Sequence, residues 1–187
     1  MKVNMKKLAV AVIMIAIVTL VGATVALAGG YTYTNIIGKY AFTGTEFCFP
    51  SPTGSSFSTN GGQGVFIFHW NGRYSLESTA AAFSYGSNFE TVGRAEVHGT
   101  GTYTISSSGA MTLVMDEPGV VATYVTGPAA GNTYMIYPKT FTGYISADRR
   151  TITFGNVEPE LETIYNADGT VRSTQVCTSA RVAVQIW

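Results

Sequence analysis

Charged residues of either sign are scarce in this sequence. They make up 12% of the 187 residues, and eleven basic side chains balance eleven acidic ones. Beyond the first seven residues the basic side chains form no cluster. A basic cluster is the electrostatic requirement for binding nucleic acid or anionic lipid. We therefore exclude nucleic-acid binding.

The residues that usually carry catalysis are also few. The chain has two histidines, His69 and His98, and no Gly-x-Ser-x-Gly motif. Nucleophilic catalysis therefore has little support. The glycine-rich run at residues 61–64 is not followed by a predicted helix that would cradle phosphate. The sequence favours a non-enzymatic protein without metal or cofactor.

The only helix-like segment is at the N-terminus. Three lysines within the first seven residues precede an apolar run over residues 8–21, and Ala26-Leu27-Ala28 follows. Basic, apolar and small-x-small regions in this order are typical of a cleavable signal peptide. We expect a signal peptide over residues 1–28 and one mature domain over residues 29–187.

A permanent membrane anchor is the alternative, because residues 8–28 carry no charge and are long enough to span a bilayer. The cleavage pattern favours removal. Removal leaves 159 residues, the size of one ordinary domain, with eight basic and eleven acidic side chains and a formal charge of −3. The expected location is the periplasm or the extracellular medium.

Two cysteines, Cys48 and Cys177, lie in the mature part. An even number of cysteines in an oxidising compartment predicts a disulfide. It would join the first mature strand to the last. A loop of more than a hundred residues closed in this way is stabilised by about 4–5 kcal/mol in the loop-entropy model. Two free thiols or a metal pair are the alternatives.

Apolar residues of the mature chain recur at a spacing of two, which indicates β-strands. Phe66, Phe68 and Trp70 share one parity, and Asn71-Gly72 after them is a hairpin signal. Pro50 to Gly64 is predicted to be a long loop. We expect about eight to ten strands in a single all-β, antiparallel up-and-down barrel. A two-sheet sandwich is the alternative fold.

Two positions near the ends of the mature chain resemble the lipocalin and calycin arrangement. Gly38-Lys39-Tyr40 opens the first strand, and Arg181 lies in the last. In that family a Gly-x-Trp packs beneath an arginine at the closed end of the barrel, and here Tyr40 takes the position of the tryptophan. The resemblance implies that Gly38, Tyr40 and Arg181 form the closed end, with the guanidinium over the Tyr40 ring.

The C-terminal third resembles a group of secreted bacterial proteins of unknown function. The resemblance runs over Thr126 to Tyr134, Thr142 to Ser146 and Asn166 to Thr170, and it continues to Cys177 and Arg181. It implies the barrel fold and an exported location, and it implies nothing about a reaction.

The function that we expect is binding of a small apolar or amphipathic molecule. Barrels of about eight strands either fill their interior with side chains or hold one small ligand. The candidate ligand-binding residues are five aromatic side chains: Phe66, Phe68, Trp70, Tyr103 and Tyr134. The same aromatic side chains would alternatively serve only to fill the core.

Three other functions stay open. A small outer-membrane barrel would suit the terminal Trp187, although Arg181, Ala183 and Gln185 occupy the alternating positions where such barrels carry apolar residues. A barrel-type cyclase or isomerase would leave few sequence signals. A surface structural protein would suit the low charge and the richness in threonine and glycine.

Overall fold

The computed structural model describes residues 30–50, 57–85, 89–136 and 140–187. The predicted signal peptide, residues 1–28, lies outside the described residues. The described chain forms a short 3₁₀ helix and ten strands. In chain order they are the 3₁₀ helix Tyr33–Asn35, β1 Gly38–Pro50, β2 Phe57–Phe68, β3 Arg73–Tyr85, β4 Phe89–Ile105, β5 Ala110–Met115, β6 Val120–Tyr124, β7 Thr133–Ile136, β8 Thr140–Ile145, β9 Thr151–Asn166 and β10 Val171–Gln185.

The strands form one closed antiparallel barrel. Around the wall the order is β10, β1, β2, β3, β4, β5, β8 and β9, and β9 pairs again with β10. Closure leaves no long sheet edge exposed. The predicted all-β barrel is confirmed, and the sandwich alternative is wrong because one continuous sheet closes on itself.

Two wall positions are each built from two consecutive strands. β5 pairs with the last part of β4, residues 101–105, and β6 pairs with its middle, residues 95–98, so β5 and β6 run one after the other along the same neighbour. In the same way β7 pairs with β6, and β8 with β5. β9 closes against both β7 and β8. With each interrupted pair taken as one strand, the chain runs up and down around eight wall positions, as predicted.

Turn chemistry sets the hairpin between β2 and β3. Asn71-Gly72 lies in a tight turn in which His69 N–H donates to the Arg73 carbonyl at 2.8 Å. Gly72 has φ +74°, a conformation that glycine adopts without steric cost. The predicted hairpin is confirmed.

The predicted long loop between Pro50 and Gly64 is wrong in its second half. β2 begins at Phe57, and its glycine-rich part pairs with β1 on one side and β3 on the other. Small polar residues favour loops in isolation, but here two flanking strands supply the hydrogen bonds that hold them extended.

One half of the interior is filled with large side chains. Tyr40 packs edge-on to Phe68 at 5.5 Å, and Phe68 to Tyr103 at 5.1 Å between ring centroids. Met111 and Leu113 lie in the same core and are 1% and 0% exposed. We call this region the packed half.

Tyrosine hydroxyls tie the packed half to the turns at its end. Tyr40 donates to the Arg149 carbonyl at 3.1 Å, and Tyr103 donates to the His69 carbonyl at 2.6 Å. Burial raises the pKa of both phenols to about 12. The segment before β1 covers this end, with Tyr33 against Tyr103 and Ile36 fully buried.

The expected contact between Arg181 and Tyr40 is not formed. The register of β1 and β10 places Arg181 opposite Gly44, whereas Tyr40 is opposite Gln185. The guanidinium lies 4.6 Å from the centroid of Phe141 instead. Gly38, with φ +129°, packs against the Trp187 backbone at the closed end. Arg181 therefore lies four residues along β10 from Gln185, the residue opposite Tyr40.

The disulfide between Cys48 and Cys177 is confirmed. The two residues are register partners on β1 and β10, and their Cα atoms are 4.1 Å apart. Both residues are buried, and the bridge lies near the end of the barrel opposite the packed half. It joins the first strand to the last, as expected.

Candidate functional site

The half of the barrel next to the disulfide contains a cavity of about 130 Å³. Several inward positions here hold small residues, in contrast to those of the packed half. We call this region the cavity half. Its small lining residues are Gly44, Gly62, Ser78, Ala80, Ala95 and Ala122. Larger apolar side chains, among them Phe42, Phe66, Leu76 and Phe141, also line the cavity.

The cavity follows from side-chain size along each strand. The inward-facing residues of β1 are, in order from the closed end, Tyr40, Phe42 and Gly44. The size of the side chains therefore decreases with distance from the closed end. On β2, a Cβ atom at Gly62 would meet no atom closer than the Thr79 carbonyl oxygen at 3.9 Å. Gly44 differs, because its Cβ would lie 2.4 Å from Cγ of Arg181. Glycine at position 44 therefore makes room for the arginine.

A buried ion pair forms the polar side of the cavity. Arg181 Nη2 lies 3.4 Å from Glu46 Oε1, and the two side chains are 17% and 10% exposed. Asn60 Nδ2 donates to Glu46 Oε2 at 3.2 Å, and Arg181 Nη1 donates to Ser179 Oγ at 2.7 Å. The stacking of the guanidinium on Phe141 fixes its plane. The cavity thus offers one acceptor group and one donor group beside apolar walls.

A second buried carboxyl group lies behind this ion pair. Glu162 on β9 is 3% exposed and accepts a hydrogen bond from Gln175 Nε2 at 3.1 Å. One carboxylate oxygen each of Glu46 and Glu162, together with the sulfurs of Cys48 and Cys177, all lie within 4.8 Å of one another. The sulfurs are bonded to each other and are not thiolates, which are the form that binds metal. Only the two carboxylates of this group remain as metal ligands.

The five predicted ligand-binding aromatics lie in different places. Phe66 lines the cavity. Phe68 and Tyr103 belong to the packed half and serve to fill it. Tyr134 lies on β7 against Tyr124, with the Arg172 guanidinium 4.4 Å from its ring centroid. Tyr134 and Arg172 both line a separate surface pocket, not the cavity of the barrel.

Trp70 does not line the cavity. Trp70 has the same parity as Phe66 and Phe68, but β2 ends at Phe68 and Trp70 lies in the turn that follows. Its side chain is 76% exposed. Alternation carries a side chain inward only while the strand continues.

Sequence reasoning missed Glu46 and Asn60, and it gave Arg181 a different role. Glu46 has the parity of Tyr40 and Phe42 on β1, and that alternation is the signal that would have placed it inside the barrel. Asn60 lies in the glycine-rich segment whose composition predicts a loop, although the segment is part of β2.

Comparison with known proteins gives no relative. No protein-family model, no curated protein and no solved structure matches the chain. Among the described residues, no helix combines the length and apolarity needed to cross a bilayer.

Proposed function

We propose that the mature protein is an exported, non-enzymatic barrel that binds one small amphipathic molecule in the cavity half. The observation that carries this proposal is the apolar cavity with the Glu46–Arg181 ion pair on one side. Ligand sites in proteins are mostly apolar and hold a few polar groups that orient the ligand.

The size of the cavity limits the ligand. Apolar cavities of about 150 Å³ take up benzene or xenon. At about 130 Å³, the present cavity suits a molecule with one small ring or a short alkyl chain. A lipid or a large pigment would need the packed half to open as well.

The ion pair supports a binding role because a buried ion pair contributes little to the stability of a fold. Removing two charges from water costs several kcal/mol per ion, and apolar replacements for buried ion pairs are often neutral or stabilising. Arg181 and Glu46 also line a cavity. Both features are expected of groups kept to contact a ligand.

The outer wall supports a barrel surrounded by water. Arg94, Glu96 and His98 are exposed on β4, and Arg73 on β3 pairs with Asp116 across the surface. A membrane-spanning barrel needs an apolar band around its whole circumference. The disulfide supports an oxidising location, as expected for the periplasm or the extracellular medium.

The test fills the cavity by substitution. Ala122 on β6 lines the cavity, whereas Ala180 on β10 is exposed on the outer wall. With benzyl alcohol as the probe and ligand-observed NMR as the measurement, residues 29–187 with the disulfide formed should bind it. Ala122→Leu should weaken that binding by about tenfold or more, because the added atoms occupy the ligand volume.

Ala180→Leu is the matched control and should bind benzyl alcohol as the native protein does. The proposal is contradicted if native protein binds no probe. It is equally contradicted if both leucine variants bind as tightly as the native protein.

A further inference from the structure

The charges around the cavity point to the class of ligand, and this inference rests on the proposed function. Among the described residues, the polar side of the cavity holds the Glu46 carboxyl group and the Arg181 guanidinium, and a second buried carboxyl group, Glu162, lies behind Glu46. Their carboxylate oxygens come within 4.8 Å of each other. With every group ionised, the cluster carries one net negative charge.

Electrostatics at this site favour a cation. Two carboxyl groups this close repel each other when both are ionised, and burial strengthens the repulsion because the local dielectric is low; a bound cation relieves it, as a shared proton would. The separation of 3.4 Å between Arg181 and Glu46 is longer than the usual 2.7–2.9 Å of a charge-assisted hydrogen bond. A positive group placed at Glu46 would offset the remaining negative charge, and an anion there would add to it.

The walls suit the rest of such a molecule. Phe42 and Phe66 present aromatic surface to the cavity, and Leu76 adds aliphatic surface. Aromatic faces attract ammonium groups, and apolar walls bury a ring or a short alkyl chain. A carboxylate ligand would meet Arg181 but would also lie close to the Glu46 carboxylate, which is 3.4 Å from that guanidinium.

We infer that the cavity binds a small organic cation, a primary amine with an aromatic or short alkyl body. The ammonium group lies at the Glu46 carboxylate, and the body lies between Phe66 and the small residues of the cavity half. Glu162 makes no contact with the ligand and increases the negative potential at Glu46.

Three probes of nearly the same size separate charge from shape: benzylamine, benzyl alcohol and benzoate. Titration calorimetry on oxidised residues 29–187 at neutral pH should rank benzylamine at least about tenfold tighter than benzyl alcohol, with benzoate the weakest. Glu46→Gln keeps an acceptor for Asn60 but removes the charge. It should lower benzylamine affinity by about tenfold and leave benzyl alcohol affinity within about threefold.

Glu96→Gln is the control variant, because Glu96 is exposed on the outer face of β4. It should keep the native ranking of the three probes. Glu162→Gln should reduce the preference for benzylamine over benzyl alcohol less than Glu46→Gln does. If Glu46→Gln does not fold, the ranking on the native protein decides.

The possible results separate the inference from the proposed function. Equal binding of benzylamine and benzyl alcohol, or tighter binding of benzoate, would overturn the cationic ligand and leave the binding barrel standing. Failure of all three probes to bind would overturn the proposed function itself.

Discussion

The packed half and the cavity half of this barrel share the same strands and differ in what their inward positions hold. In the packed half, Tyr40, Phe68 and Tyr103 fill the space between the strands. Two glycines further along the same faces, Gly44 and Gly62, leave space for a guanidinium and a cavity. The backbone architecture therefore sets where side chains point, and their size sets whether the barrel is solid or hollow.

The comparison also separates two kinds of polar group. In the packed half, the hydroxyls of Tyr40 and Tyr103 donate to turn carbonyls and so stabilise the closed end. In the cavity half, Glu46 and Arg181 face a cavity as a buried ion pair. The hydrogen bonds of the hydroxyls stabilise the fold, whereas the ion pair lies where it would contact a ligand.

The largest expected difference between the halves is in two leucines. Leu113 is fully buried in the packed half, and Leu76 lines the cavity. Leu113→Ala should lower the free energy of unfolding by about 4–5 kcal/mol, because it opens a new void in close-packed surroundings. Leu76→Ala should lower the free energy of unfolding by about 2–3 kcal/mol, because Leu76 makes fewer packing contacts on the side that faces the cavity.

Chemical denaturation of the two leucine variants measures this difference directly. Equal costs would mean that the cavity half is as well packed as the packed half, and would contradict the difference between them.

Two glycines on β2 give the next largest contrast. A Cβ at Gly64 would lie 2.2 Å from the Glu77 carbonyl oxygen, which belongs to the backbone of β3. Gly64→Ala should therefore destabilise the barrel by about 1–3 kcal/mol, because the wall must shift. Gly62→Ala should be neutral or stabilising by up to about 1 kcal/mol, because the added methyl group fits into open space and because alanine lowers the conformational entropy of the unfolded chain. Thermal unfolding of both variants checks the sign; a destabilised Gly62→Ala would contradict the open space.

The smallest effect concerns two tyrosine hydroxyls. Tyr103 donates to the His69 carbonyl, whereas the hydroxyl of Tyr74 is buried without a hydrogen-bond partner among the described residues. Burial raises the pKa of Tyr74 well above its ordinary value. Tyr103→Phe should cost about 1 kcal/mol, and Tyr74→Phe should be neutral or slightly stabilising. Urea unfolding compares the two, and a reversed order would mean that the hydroxyl of Tyr74 is satisfied in solution.

The sequence was sufficient for the fold because the wall follows from local rules. Alternation in segments such as Phe66 and Phe68 predicted strands, Asn71-Gly72 predicted a hairpin, and two cysteines predicted a link between the end strands. It failed where tertiary contacts override local preference, as in the glycine-rich start of β2. There the neighbouring strands hold residues that would otherwise form a loop.

The site was harder to predict because it depends on register and on volume. Arg181 meets Glu46 and Phe141 instead of Tyr40 because the β1–β10 pairing places it opposite Gly44. No pattern along one strand gives that pairing. Trp70 lies outside the cavity for a related reason, since β2 ends two residues before it. A cavity is the space that the side chains of all eight wall positions leave between them, so it cannot be predicted from the sequence of one strand.

Xenon binding tests most directly the claim that one half of the barrel is solid and the other hollow. Crystals of residues 29–187 under xenon pressure should place the gas in the cavity half, against Phe66 and Ala95, because apolar cavities of this size take up xenon. Xenon should be displaced in Ala122→Leu, and none should bind among Tyr40, Phe68 and Leu113. Xenon in the packed half, or none in the native protein, would contradict the division of the barrel into a solid half and a hollow half.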